Sequence, residues 1–152
     1  MKSLREWLAV AGLLGTVLIV VTHYWALPQT VPTHFNASGV VDGWGGKWDL
    51  WFAPGFACLL YAVLTLVRFL PERMINVPVS EAQRAAAVPM CLEMTDWAKA
   101  ETMWMSAGVA WMMVASAQGN GSMLLLLIPA VSVTVLLGTL GFYLWRMMSL
   151  PE

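Results

Sequence analysis

The sequence predicts an all-α, polytopic membrane protein with four transmembrane helices and both termini on the cytoplasmic side. Three observations predict it. Of 152 residues, 59% are hydrophobic and only 11% charged, too few charges to cover a water-soluble globule of this size. The apolar residues gather in blocks of about 20, the length at which a helix crosses a hydrocarbon layer. Lysine and arginine fall almost entirely into alternate connectors, as orientation in a membrane demands. The formal net charge of -1 leaves no basic excess to neutralise phosphates, which excludes a nucleic-acid partner. Cys58 and Cys91 have no paired spacing and read as free thiols.

The whole chain, 1–152, reads as a single membrane domain. Its first span, 7–27, carries no acid or fixed base and ends in His23, Tyr24 and Trp25, residue types that suit a membrane interface. The rival reading is a signal peptide headed by Lys2 and Arg5, but no small-x-small cleavage site follows. An outer loop, 28–49, leads to the second span, 50–70. That span opens behind Asp49, tolerates Pro54 in its first turn, and ends with Arg68 placed to reach the headgroups as an anchor.

A connector, 71–102, follows. Within it Ser80 and Gln83 fit a capping box, and the alanines after them predict a short helix ended at Pro89. The third span, 103–117, is short, and an amphipathic lead-in from Cys91 to Lys99 extends it. Gln118, Gly119, Asn120, Gly121 and Ser122 form a tight hairpin at 118–122. The fourth span, 123–147, is long enough to cross with tilt, and Pro129 inside it predicts a kink.

Orientation follows from the basic residues. Lys2, Arg5, Arg68, Arg73, Arg84, Lys99 and Arg146 share one side and only Lys47 lies on the other. The termini and the connector are therefore expected in the cytoplasm, with the 28–49 loop and the glycine hairpin outside. Trp25, Trp44, Trp48, Trp51 and Phe52 form an aromatic belt at the outer face.

The expected spans hold no Asp, Glu, Lys or His near a midplane, so the usual relays of proton-coupled transport are missing. Gly12, Gly15, Ala107, Gly108, Gly138 and Gly141 are small enough to let helices approach closely. The methionines, among them Met103, Met105, Met112 and Met113, read as packing filler rather than a soft-metal site.

The outer loop is different. Pro28 and Pro32 stiffen its entry, Asn36 to Gly39 and Asp42 to Gly46 offer turn chemistry, and an ordered lid is expected. His34, Asn36, Asp42 and Lys47 bring an imidazole, an amide, a carboxylate and an ammonium into one stretch. In the simpler reading Asp42 caps a turn, Lys47 pairs with Asp42 or Asp49, and His34 bonds a backbone carbonyl. In the sharper one His34 and Asp42 bind a metal or act in acid-base chemistry. Spacing alone does not choose. No HExxH or GxSxG run marks a catalytic residue, and no cofactor is implied.

The string VPTHFNASGVVDGWGGK resembles the loop signature of a bacterial membrane-domain family of unknown function that is found also at the start of SdpI-like immunity proteins. Pro32, His34, Phe35, Asn36, Gly39, Asp42, Gly43, Gly45 and Lys47 fit its pattern, and the resemblance runs over roughly 7–78. It implies a multi-pass protein of the bacterial cytoplasmic membrane, with those nine residues as a binding surface. For SdpI-like members it implies protection against a peptide toxin outside and capture of a regulator protein inside. The chain departs from those members in having four expected spans, fewer than theirs.

The leading expectation is an integral membrane protein that binds through its outer loop, with the bilayer, a membrane-active peptide and an inner regulator as partners. One alternative is a membrane-surface enzyme or metal-binding protein using His34 and Asp42, with Lys47 stabilising an anion. Another is a structural subunit of a membrane complex. Glu81, Glu93, Asp96 and Glu101 with Arg84 and Lys99 read as a solvated face of the connector.

Overall fold

The computed structural model describes residues 2–151, so Met1 and Glu152, the ends of the expected domain, lie outside the described residues. The fold is mostly helical: α1 (Lys2–Tyr24), a strand pair β1 (Thr30–Phe35) and β2 (Val41–Gly46), α2 (Phe52–Leu66), α3 (Glu81–Ala117) and α4 (Leu127–Met148). Short 3-10 turns join these elements at 47–51, 67–69, 72–74 and 123–126. Three segments, Leu4–Tyr24, Lys47–Phe69 and Leu124–Met148, are long and apolar enough to cross a membrane. They coincide with the first, second and fourth expected spans.

Helices α1 and α3 run parallel, and α2 and α4 run back beside them. The α1–α3 contact is the most extensive of the bundle. A Cβ on Gly12 would stand 2.9 Å from the backbone of Met103 and of Trp104, so only glycine permits this crossing. Gly108 holds α4 close in the same way, since a Cβ there would meet Ile128 at 2.2 Å. Gly138 and Gly141 differ from expectation: no atom lies within 4 Å of a Cβ at either position. Ala9, Ala57, Ala100 and Met103 fill the centre of the bundle, and Ile75, Val77, Ala87, Val88 and Met147 close its termini end.

The expected short helix ending at Pro89 and the expected span at 103–117 are one helix of 37 residues, with Pro89 inside it. At 1.5 Å per residue α3 is about 55 Å long, well beyond the ~30 Å of a hydrocarbon core. The N-terminal prediction holds: Ser80 is the N-cap, and its backbone N–H donates to Gln83 Oε1 at 3.2 Å. Helix α3 persists through Pro89 because Ala87 and Val88 are buried against Ile75, Val77 and Met147, and this packing offsets the hydrogen bond that proline forgoes. Pro129 makes no mid-helix kink. It is the third residue of α4, after a 3-10 turn, where its missing N–H has no carbonyl to lose.

The connector's charges are only in part a solvated face: Glu81 is exposed, and Arg84, Glu93 and Glu101 are half-buried. Asp96 and Lys99 are buried in the bundle, Lys99 to 1% exposure, and Arg5 of α1 is buried with them. Lys99 Nζ donates to Glu6 Oε2 at 2.6 Å and to Thr65 Oγ1 at 3.2 Å, while the Tyr61 hydroxyl donates to Glu6 Oε1. Arg68, read as a headgroup anchor, instead donates to Asp96 Oδ2 at 2.5 Å, and Arg5 donates to Glu93. Buried charges persist only when paired, and this network pairs α1, α2 and α3 to one another. The Arg5 guanidinium bonded to Glu93 holds that carboxyl below the usual carboxylate range against the opposing effect of its burial.

Candidate outer hairpin and groove

The 28–49 loop is ordered, as expected, but its order comes from strand pairing. β1 and β2 are antiparallel, with Val31 opposite Gly45, Pro32 opposite Trp44, His34 opposite Gly43 and Phe35 opposite Val41. This register leaves Thr33 and Asp42 as extra residues, one on each strand. A bulged residue turns its side chain out of the regular alternation. Thr33 accordingly lines the groove below the sheet, and Asp42 comes up beside His34.

Each residue singled out by the sequence has a definite place here. Asn36 closes the turn: its Oδ1 accepts from the backbone N–H of Ser38 at 2.9 Å and of Val40 at 3.0 Å. Gly39 follows with φ of +76°, a conformation that glycine adopts without cost. Gly43 lies under His34, where a Cβ would approach the His34 Cβ to 2.7 Å. Gly45 lies under Asp49, where a Cβ would stand 1.9 Å from Oδ2 and 2.7 Å from the Thr33 methyl group. Pro32 is buried, and Phe35 packs on the core formed by Val20, Leu27, Val31, Leu50 and Val114.

Lys47 is not paired with Asp42 or Asp49. Its buried ammonium donates to the Leu27 carbonyl at 2.9 Å and stands 4.8 Å from the centroid of the Tyr24 ring. It fastens the end of β2 to the end of α1, a positioning role, and is not available to stabilise an anion at the surface.

His34 and Asp42 do come together. Nδ1 and Oδ1 are 2.5 Å apart, so the imidazole bonds a carboxylate rather than a backbone carbonyl. Both side chains remain open to solvent, at 71% and 43% exposure, which makes the pair accessible to an outside partner. Among the described residues no cluster of three or more His, Cys, Asp or Glu side chains gathers to hold a metal ion.

No local pattern in the chain announces the groove beneath the hairpin. It has a volume of about 600 Å³ and runs between α2 and α3, with Phe52, Phe56 and Met113 among its walls and Thr33, Asp49, Thr102 and Ser106 as its polar points. Such a mixture, mostly apolar with a few convergent polar groups, is the usual make-up of a ligand site. Trp44 and Trp48 stand exposed, and Tyr24 packs edge-on against Trp25 and Trp48. His23 serves the helix end, with Nδ1 2.9 Å from the Ile19 carbonyl and its ring edge-on to Trp111.

No curated protein and no solved structure matches the chain. Residues 11–58, which take in most of α1, the whole hairpin with all nine loop residues, and the first half of α2, match the family model described as a domain of unknown function, DUF1648.

Proposed function

We propose that this chain is a multi-pass protein of a bacterial cytoplasmic membrane that acts by binding, its outer hairpin and the groove beneath it receiving a membrane-active peptide. In this reading the chain is one domain that crosses four times, the second half of α3 being the third span, and both termini and the 71–102 connector lie in the cytoplasm. The excess of basic residues on that side supports the orientation. The expected resemblance to SdpI-like proteins makes immunity or signalling the role, with the inner connector as the surface for a regulator protein.

The observation that carries the reading is the groove. An apolar trough of about 600 Å³, with Asp49 in its wall, suits a peptide that is apolar on one face and basic on the other. The exposed His34–Asp42 pair, Trp44 and Trp48 offer further polar and aromatic contacts in the same 28–49 segment.

The test is survival of bacteria expressing the chain when challenged with a cationic amphipathic peptide of lysine and leucine. Protection is expected from the natural chain and is expected to be lost in Asp49→Asn and in Phe56→Asp, with surface expression verified. Equal killing with and without the chain defeats the reading. Thiol labelling of intact cells tests the orientation: Ser38→Cys is expected to react and Arg84→Cys to be shielded.

A second reading is favoured by the His34–Asp42 pair itself: a metal-binding or hydrolytic surface, with Asp42 orienting the imidazole. Stoichiometric zinc in the purified protein that His34→Ala removes is the result that would put it first.

A further inference from the structure

We propose that the seam between α3 and α4 is a binding site for a lipophilic organic cation, with Glu101 as its counter-charge and aromatic rings as its walls. Glu101 was expected in the cytoplasmic connector. Instead its partner is Thr139, whose Oγ1 donates to Glu101 Oε1 at 2.6 Å, well inside the apolar stretch Leu124–Met148. Thr139 precedes Met148 by nine residues, which places the carboxylate about 14 Å along α4 from its end, at a depth where ionisable groups are rare and have functional uses.

The hydrogen bond to Thr139 leaves half of the carboxylate unaccounted for. Oε2 is sealed from the surface and has no hydrogen-bond partner among the described residues. The acids of the charged network are different: buried Asp96 takes Arg68, and the partly exposed Glu6 and Glu93 take Lys99 with Tyr61 and Arg5 respectively. A lone carboxylate in apolar surroundings is costly unless a positive charge stands near it.

The surroundings suit a large soft cation better than a metal ion. Glu101 and Trp97 line two open clefts at once. One, of about 390 Å³, is completed by Gly138, Thr139, Phe142 and Tyr143. The other, of about 330 Å³, lies toward α1 and includes Leu8, Trp104, Val131 and Val135. Each is large enough for a small organic ligand. Ring faces attract cations through their quadrupole, most strongly where water is excluded, and aromatic walls with one acid are the chemistry that recognises quaternary ammonium and phosphonium groups. A metal ion, by contrast, would need several converging oxygen, nitrogen or sulfur ligands, and among the described residues Glu101 is the only carboxylate lining either cleft.

Gly138 allows the site to be blocked without disturbing the fold, because a side chain there meets no atom within 4 Å and projects into the larger cleft. The test uses the full chain in phosphatidylcholine nanodiscs, titrated with tetraphenylphosphonium and followed by tryptophan fluorescence, with empty nanodiscs as background. Saturable binding is expected, weakened at least tenfold in Glu101→Gln and likewise in Gly138→Leu, in which Glu101 and its hydrogen bond remain. Neutral triphenylphosphine oxide is expected not to compete. Binding no stronger than to empty nanodiscs, retention of affinity in either variant, or equal competition by the neutral compound overturns the proposal. Because the groove under the hairpin is untouched by both variants, peptide protection is expected to persist in them, which separates this site from the outer one.

Discussion

The ammonium of Lys47, at the end of β2, donates to the main-chain carbonyl of Leu27 at 2.9 Å, and this one bond closes the outer hairpin onto α1. The Lys47 backbone N–H repeats the closure by donating to the Gln29 carbonyl at 2.9 Å. Lys47→Met keeps the stem but leaves the Leu27 carbonyl without its charged donor, a loss of about 1–3 kcal/mol for a buried acceptor. Hydrogen exchange of the strand amides is expected to speed up accordingly, while the amides of α3 keep their protection.

The two glycines at the end of β2 should respond in opposite ways to the same substitution. In Gly45→Ala the new methyl group collides with Asp49 and Thr33, and relief by shifting the strand costs about 1–3 kcal/mol. A Cβ on Gly46 meets nothing within 4 Å and its φ is -71°, so Gly46→Ala is expected within about 0.5 kcal/mol of the natural chain. The midpoint of unfolding, as mild detergent is replaced by sodium dodecyl sulfate, distinguishes the two.

Gly12→Ala is expected to lower that midpoint clearly, because the obstacle is the Met103 and Trp104 backbone, which cannot turn aside as a side chain would. Gly138→Ala, into open space, is expected to leave it unchanged. Equal effects at the two sites would mean that the α1–α3 crossing is looser than described.

The Lys99–Glu6 pair calls for a double-mutant cycle. Removing Glu6 alone, as Glu6→Gln, leaves the buried Lys99 ammonium without its carboxylate, whereas Glu6→Gln with Lys99→Met removes both charges. The single variant is expected to unfold more readily than the double, since breaking a buried pair costs more than deleting it.

Acid is expected to loosen the termini end. Glu93 has its folded pKa lowered by Arg5 from the ordinary 4.5, so its ion pair contributes stability above that value and loses it as pH falls through the lower, folded pKa. Glu93→Gln is expected to flatten this part of the stability profile below about pH 4.5 and leave the rest of the curve in place.

The apolar blocks were legible because crossing a membrane needs length and little else, and α1, α2 and α4 appear within a few residues of where composition puts them. The hairpin was not. Three of the six residues of β2 are glycine and β1 contains Pro32, both poor strand formers, so turn chemistry outweighed the alternation that pairing later imposes. The polar network was hidden for another reason: Arg5 and Glu93 are 88 residues apart and Glu6 and Lys99 are 93 apart, distances over which no local pattern announces a contact. His34 and Asp42, eight residues apart in one loop, were the pair that spacing could bring forward, and the bulge at Asp42 is what joins them.

Helix α4 leans on α3, while Val131, Leu137, Leu144 and Trp145 along it stay uncovered by the rest of the chain. The charged network that fastens α1, α2 and α3 reaches it only around Glu93, which Tyr143 and Arg146 of α4 approach. The Lys99–Glu6 and Arg68–Asp96 pairs involve only residues that precede α4 in the chain, so they are expected to be able to close before α4 emerges. A chain arrested before α4 would still close both pairs, and the seam holding Glu101 would be left without its second wall.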